Sequence, residues 1–369
     1  IGGYSVLAPT SRRKKPVTVY FVARFNQNMT AFGGWEKEGK EKKLVHKNSI
    51  EGADIGGYAS FGKLKKQTLL MKVGISYVSE EQARINLEKE LAHWNFDRVK
   101  EDAFAEWNRE LGKITVEGGS EEEKIKFYTD LWHSLLGRHT FSDFNGKYID
   151  NTGEEPVVRQ VPLDNGTPTR NTYNSDAFWG SEFNLNILWS IAYPKVMSEF
   201  VSTLVDYYTN GGMIARGPSG GNYTYVMVGD QATPLIAAAY NKGIRDFDIE
   251  SAYQGCLKNS EPGGIRDYVG YKTNPGNFMQ QYVDKGFVPE PTTKSPHAEG
   301  CAMTLYFAYE DWCMAQFAKG LEKEDVYRKY LQRSFNYRYV YDKQSGWMRP
   351  RTTDGSWMRN FSPIGKGFN

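Results

Sequence analysis

No stretch of this chain approaches the roughly 18 consecutive apolar residues that a membrane-spanning helix needs. Cysteine is scarce. Cys256, Cys301 and Cys313 cannot all pair with one another, and none stands in a CxxC spacing. Neither a disulfide framework nor a zinc site is supported. Strong charge of one sign is also missing: the formal net charge is +2 over 369 residues. That balance gives no reason to expect nucleic acid. The short basic run Arg12-Arg13-Lys14-Lys15 reads as a solvated turn before a strand. No low-complexity segment or short internal repeat occurs. What remains is ordinary globular material, 40% hydrophobic and 24% charged, long enough for two domains and a sizeable core. Aromatic residues make up 14%, a load that suits carbohydrate contact as well as large aromatic cores.

Residues 176–189 are the most informative stretch. They hold two tryptophans, two carboxylates and two asparagines around an aliphatic stripe. Leu185 and Leu188 are spaced as one buried helical face. Asp176, Trp179 and Glu182 recur every three residues and would line one side of the same turns. A flat indole beside a carboxylate and an amide such as Asn184 suits a sugar, whose C–H faces cover the ring while its hydroxyls meet the polar groups. The same residues also suit a buried aromatic helix start capped by its carboxylates.

A strong helical pattern from Pro194 to Tyr208 then runs into residues 211–230, whose six glycines and one proline argue against a regular element. Arg216, Asn222, Tyr223 and Tyr225 are therefore expected on a loop, where binding groups concentrate. A new helix is expected near Asp230 and Pro234, with Leu235, Ile236 and Ala239 inward. An ordinary long connector explains the loop equally well.

Along the chain, residues 1–78 read as strands. Val17–Phe25 and Gln67–Val78 are rich in β-branched and aromatic side chains, with a Gly- and Lys-rich stretch, 33–47, suited to hairpin turns. Ser79 followed by Glu80, Glu81 and Gln82 looks like a helix cap, and residues 79–119 read as a helical linker. Ser120 with Glu121, Glu122 and Glu123 is another capping signature. From residue 120 to 369 the pattern is serial helices: 127–136, 194–208, 234–242, 249–258, 302–321 and 323–340. Strands followed by helices without alternation argue against βαβ architecture. The fold class expected is α+β multidomain: the end of an antiparallel β-sandwich (1–78), a helical linker (79–119) and part of an (α/α)6 toroid (120–369).

In this order the segments resemble glycoside hydrolase family 92, the calcium-dependent exo-acting α-mannosidases. Val19-Tyr-Phe-Val-Ala-Arg-Phe25 is similar to a sandwich strand of that family, and 73–87 to its last strand and following helix. Trp94-Asn-Phe-Asp97, 107–114 and Phe127-Tyr-Thr-Asp-Leu-Trp-His133 resemble its linker and first toroid helix. Phe141-Ser-Asp-Phe-Asn-Gly-Lys-Tyr148, 308–316, Arg333-Ser-Phe-Asn-Tyr337 and Gly346-Trp-Met-Arg-Pro-Arg351 complete the match. The resemblance implies a glycosidase acting on α-mannosides by an inverting, calcium-dependent mechanism, with a periplasmic or secreted location and any signal peptide upstream of Ile1. Read from the residues themselves, the candidate substrate wall is Asp176, Trp179, Glu182, Asn184, Arg216, Asn222, Tyr223 and Asp230, and the carboxylates among them suit helix caps or ion pairs equally well.

The chain also departs from the family. Trp-Asp-Thr-Phe-Arg is replaced by Trp179-Gly-Ser-Glu-Phe183, so Gly180 stands for the substrate-contacting Asp and Phe183 for the Arg. Gln231 and Ala238 replace a His and an Asp, and Tyr306 replaces a Glu. The resemblance further implies that the general acid, the general base and most calcium ligands lie beyond Asn369. A chain cut there is expected to expose Tyr306, Phe307 and Trp312. A non-catalytic carbohydrate-binding homologue is the chief alternative. A glycoside phosphorylase of sandwich-and-toroid build is a second, without a clustered His and basic pair for phosphate.

Overall fold

The computed structural model describes residues 1–45, 47–64, 68–175, 178–269, 275–290, 300–359 and 361–364. Two compact units emerge: residues 1–5 with 19–102, and residues 6–18 with 103–369.

The first unit is β-rich. Strands β1 (Gly2–Leu7), β2 (Val17–Phe25), β3 (Met29–Glu38), β4 (Glu41–Val45), β5 (Ile55–Phe61) and β6 (Met71–Ser76) make two three-stranded sheets, ordered β1-β2-β6 and β4-β3-β5. β2 runs antiparallel to β6, from Tyr20 opposite Ser76 to Phe25 opposite Met71. Helix α1 (Glu80–Glu90) packs Ala83 and Leu87 against Val22. It starts as the sequence suggests, with Ser79 Oγ accepting the Gln82 N–H at 3.1 Å.

The Gly-rich stretch differs from expectation. Gly33 and Gly34 lie inside β3, and the turn falls at Gly39. A Cβ on Gly33 would come within 2.7 Å of Tyr58 Oη, so the glycine here makes room for a cross-strand ring. The helical linker expected over 79–119 also divides. α1 ends at Glu90 and α2 (Phe96–Leu111) begins afresh, because Leu91 leaves helical geometry at φ −135°.

The second unit is helical. α3 (Glu121–Leu136) opens with a reciprocal capping box: Ser120 Oγ accepts the Glu123 N–H at 3.3 Å, and Glu123 Oε2 accepts the Ser120 N–H at 2.7 Å. Short antiparallel ladders not foreseen from the sequence follow: β7 (His139–Thr140) with β12 (Tyr173–Asn174), β8 (Lys147–Asp150) with β9 (Val157–Gln160), and β10 (Leu163–Asp164) with β11 (Thr167–Pro168). Helices then run in series: α4 (Leu185–Ala192), α5 (Pro194–Gly211), α6 (Ala232–Asn241), α7 (Ile249–Asn259), α8 (Phe278–Lys285), α9 (Gly300–Gly320) and α10 (Glu324–Ser334), with a last small ladder, β13 (Tyr341–Asp342) with β14 (Trp347–Met348).

Their shared core joins Met197, Phe200 and Leu204 of α5, Leu235, Ile236 and Ala239 of α6, and Phe317 of α9. Fully burying each such aliphatic or aromatic side chain stabilises by about 1.5–3 kcal/mol. Phe307 differs from expectation. It is buried edge-on against Tyr282, centroids 5.4 Å apart, whereas Trp312 is exposed and Tyr306 half-buried.

Candidate functional site

The aromatic segment does not continue as one helix from its start. Phe178 is buried, Trp179 is 51% exposed, and Gly180 has φ +82°. A left-handed residue cannot extend a right-handed helix. Ser181–Phe183 therefore forms one 3-10 turn, and α4 starts only after Asn184, whose Oδ1 accepts the Leu185 N–H at 2.6 Å. The three-residue spacing of Trp179 and Glu182 thus does not place them on consecutive turns of one helix. Asp176, the first member of that series, lies outside the described residues.

Glu182 is half-buried, and burial raises its pKa, partly offset by the backbone N–H groups of Glu182 and Gly180. Burial raises the hydroxyl pKa values of Tyr306 and Tyr309 and that of the Cys313 thiol, and the Glu182 carboxylate adds to each, so it lies near α9.

Unmet hydrogen-bonding capacity is concentrated in this turn and the helix after it. Ser181 Oγ, Glu182 Oε2, both amide atoms of Asn186 and Trp189 Nε1 are buried without hydrogen-bond partners. Such groups call for an explanation, because unpaired buried polar atoms are uncommon in folded proteins. Sequence reading also missed Arg138. Its guanidinium lies over the rings of Trp189 (4.0 Å) and Phe200 (4.7 Å), and its Nε and Nη2 have no partner. Burial lowers its pKa to about 9. Arg138 follows a helix-ending glycine, and nothing in its neighbours' residue types distinguishes it from a surface arginine.

The glycine-rich loop is built by its own expected site residues. Arg216 is 3% exposed, and every guanidinium nitrogen donates to a carbonyl: Nε to Gly229 (2.8 Å), Nη1 to Val226, Met227 and Tyr268 (3.1, 2.8 and 2.7 Å), Nη2 to Ile265 (2.7 Å). Burial lowers its pKa to about 10, opposed by the carboxylates of Glu310 and Asp230. Tyr223 Oη bonds the carbonyls of Tyr207 and Met213 at 2.8 and 2.9 Å, and Asn222 Nδ2 donates to Gly220 O at 3.0 Å. Asp230 is fully buried and caps α6: its Oδ1 accepts the Ala232 N–H at 3.2 Å and its Oδ2 the Thr233 hydroxyl at 2.6 Å. The structure thus brings these four together as the loop's internal frame, while Trp179, Glu182 and Asn184 lie on or beside the separate 3-10 turn.

Among the described residues, no group of three or more His, Cys, Asp or Glu side chains gathers so as to hold a metal ion. No described helix is long and apolar enough to cross a membrane.

Comparison with known proteins is consistent across the chain. Residues 82–368 match the family model of the glycosyl hydrolase family 92 catalytic domain, and residues 1–76 match that of its N-terminal domain. An uncharacterized secreted glycosidase of Arthroderma benhamiae is 25% identical over 313 residues, covering 78% of this chain and 34% of that protein. The family GH92 inverting mannosidase of Bacteroides thetaiotaomicron VPI-5482 superposes with a TM-score of 0.85 at 24% identity, covering 98% of this chain and 46% of the other. A family GH92 alpha-mannosidase from Bacteroides thetaiotaomicron, also solved in complex with mannoimidazole, superposes at 0.80 and 24% identity over 99% of this chain and 46% of its own. The chain thus spans about a third of the curated relative's length and less than half of those structures.

Proposed function

Because the chain belongs to glycosyl hydrolase family 92, we propose that it forms part of a glycosidase for α-linked mannosides, and that its own contribution is a sugar-contacting wall. The observation that carries this is Trp179, 51% exposed, on the same short turn as the half-buried Glu182 and the exposed Asn184. A pyranoside suits such a turn. Its hydroxyls donate and accept at close spacing, and its C–H face covers an indole. Trp179 stacks on the ring, and Glu182 and Asn184 meet hydroxyls. Arg216, Asn222, Tyr223 and Asp230 act indirectly, by holding the loop that borders this wall.

Inverting hydrolysis needs two carboxyls, one protonating the leaving oxygen and one activating water on the opposite face, about 6.5–9.5 Å apart. Asp230 cannot serve, since its oxygens are occupied in capping α6. Glu182 alone does not make a pair. We assign neither acid nor base to this chain's described residues. Calcium belongs to the proposal with most of its ligands outside this chain, and no step is derived through it. The helices from α3 onward form part of an (α/α)6 toroid, residues 1–78 end a sandwich, 79–119 link the two, and the location is periplasmic or secreted.

A non-catalytic carbohydrate-binding role is favoured by one feature. Phe183, standing where the resemblance calls for Arg, is 73% exposed and offers no charge. The test measures mannose release from α-linked mannobiose isomers, with calcium or with a chelator, beside methyl α-mannoside binding by NMR. Binding without turnover is expected. Calcium-dependent turnover would place the acid and base among this chain's own carboxylates and overturn the assignment.

A further inference from the structure

Glu310 lies on α9, 1% exposed, where the glycine-rich loop turns into α6. Its two oxygens do different things. Oε1 accepts the backbone N–H of Asp230, the last loop residue but one. Oε2 lies 3.0 Å from Arg266 Nε, facing it as an ion pair, though not aligned as a hydrogen bond. Gly229 has φ +80°, and a Cβ there would collide with Glu310 Oε1. The carboxyl thus occupies the space that glycine vacates.

Arg266 is itself fixed from behind. Its Nη1 donates to Asp311 at 2.7 Å and its Nη2 to Ser260 Oγ at 2.9 Å. Asp311 accepts two further bonds from Arg333, at 2.6 and 2.7 Å. The joint therefore connects a loop end to a buried ion network spanning α9 and α10.

We propose that Glu310 is a positioning residue for the glycine-rich loop, fixing its junction with α6 by holding the Asp230 amide with one oxygen and Arg266 with the other. Its consequence for ligand binding rests on the loop bordering the sugar wall as proposed above.

The joint should be sensitive to pH. Burial, with Asp230's negative charge, raises the Glu310 pKa to about 8, opposed by Arg266 and Arg216. From its own helix Tyr306, Tyr309 and Cys313 feel the same carboxyl, as they feel Glu182 from the 3-10 turn. A carboxyl raised in the closed state and ordinary in the open state favours closure while protonated. Closure then weakens as pH rises from about 5 to about 8, by at most tenfold per pH unit, and levels off above.

The experiment follows hydrogen exchange of the 212–231 amides, corrected for intrinsic rate, from pH 5 to pH 9, in the wild type and in Glu310→Gln and Glu310→Ala. In the wild type, loop protection is expected to fall with pH over that window. Glu310→Gln keeps an acceptor for the Asp230 N–H and is expected to stay protected with a flat pH profile. Glu310→Ala is expected to lose at least tenfold protection in the loop at every pH. If Glu310→Ala does not fold, the other two series still decide. A wild-type profile as flat as that of Glu310→Gln, or loss spread evenly over α6, α9 and α10, overturns the proposal. Loop release without any mannoside binding by the wild type would retain it and remove the sugar wall instead.

Discussion

Arg138 lies with its guanidinium carbon 4.0 Å from the Trp189 ring centroid while its Nε and Nη2 meet no hydrogen-bond acceptor. The stacking is worth about 0.5–2 kcal/mol. Burying an unpaired cation costs several kcal/mol. The cost outweighs the stacking, so Arg138 does not stabilise this chain by itself. Arg138→Met, similar in volume, is expected to leave stability unchanged or raise it by about 1 kcal/mol in urea titrations. Trp189→Ala at the same contact is expected to cost about 3–5 kcal/mol. A loss above about 2 kcal/mol for Arg138→Met would mean that the guanidinium has an acceptor after all.

Arg216 presents the opposite balance. Five carbonyls from two stretches of chain converge on it. Removing a buried donor leaves each acceptor to bear about 1–3 kcal/mol of desolvation, less whatever water recovers. Arg216→Met is expected to cost at least about 3 kcal/mol and to open residues 212–231 to limited proteolysis. Arg216→Lys should rescue little, since one ammonium cannot reach carbonyls fanned across a planar fork. A lysine variant as stable and protease-resistant as the wild type would refute the staple.

Asp248 caps α7, with Oδ1 accepting the Ser251 N–H at 3.0 Å and Oδ2 the Ser251 hydroxyl at 2.6 Å. These bonds hold its pKa below the usual carboxylate value. A depressed folded pKa contributes stability above the unfolded value that is lost as pH falls through the folded one. Asp248→Ala is expected to cost about 1 kcal/mol at pH 7. The gap from wild type should narrow as pH falls below about 4. An acid-insensitive gap would show that the cap's charge is not what stabilises.

Local chemistry was the legible part of this fold. The caps at Ser79 and Ser120, the start of α5 at Pro194 and the inward face of Leu235, Ile236 and Ala239 depend on neighbours within a turn or two, and all stand in the structure. Legibility failed where tertiary space decides. Gly33 looks like a turn residue until Tyr58 is known to fill its missing side chain. Gly180 looks harmless in a helical spacing, yet its positive φ breaks the turn that carries Trp179 and Glu182. In the loop, Arg216 was legible as important, but its type does not say whether its partners are carbonyls or a ligand. Only the fan of acceptors does.

Trp179 gives the sharpest division between architecture and binding. The residue is 51% exposed and follows a buried Phe178, so truncation should barely affect the core. If it is a platform for a pyranose, Trp179→Ala is expected to lower methyl α-mannoside affinity about tenfold or more, while thermal stability changes little. Glu182→Gln should act differently. Burial raises the Glu182 pKa, so the folded state holds that proton more tightly than the unfolded chain. Its contribution is present below the ordinary carboxylate range and lost as pH rises through its raised value. The glutamine variant removes that loss, so it should match or exceed wild-type stability at pH 8. It should bind less tightly wherever the sugar hydroxyl needs an ionised acceptor. Chemical-shift perturbation across a pH series separates the two effects. Equal affinity in wild type, Trp179→Ala and Glu182→Gln would remove this turn from the sugar site, whatever the family's chemistry.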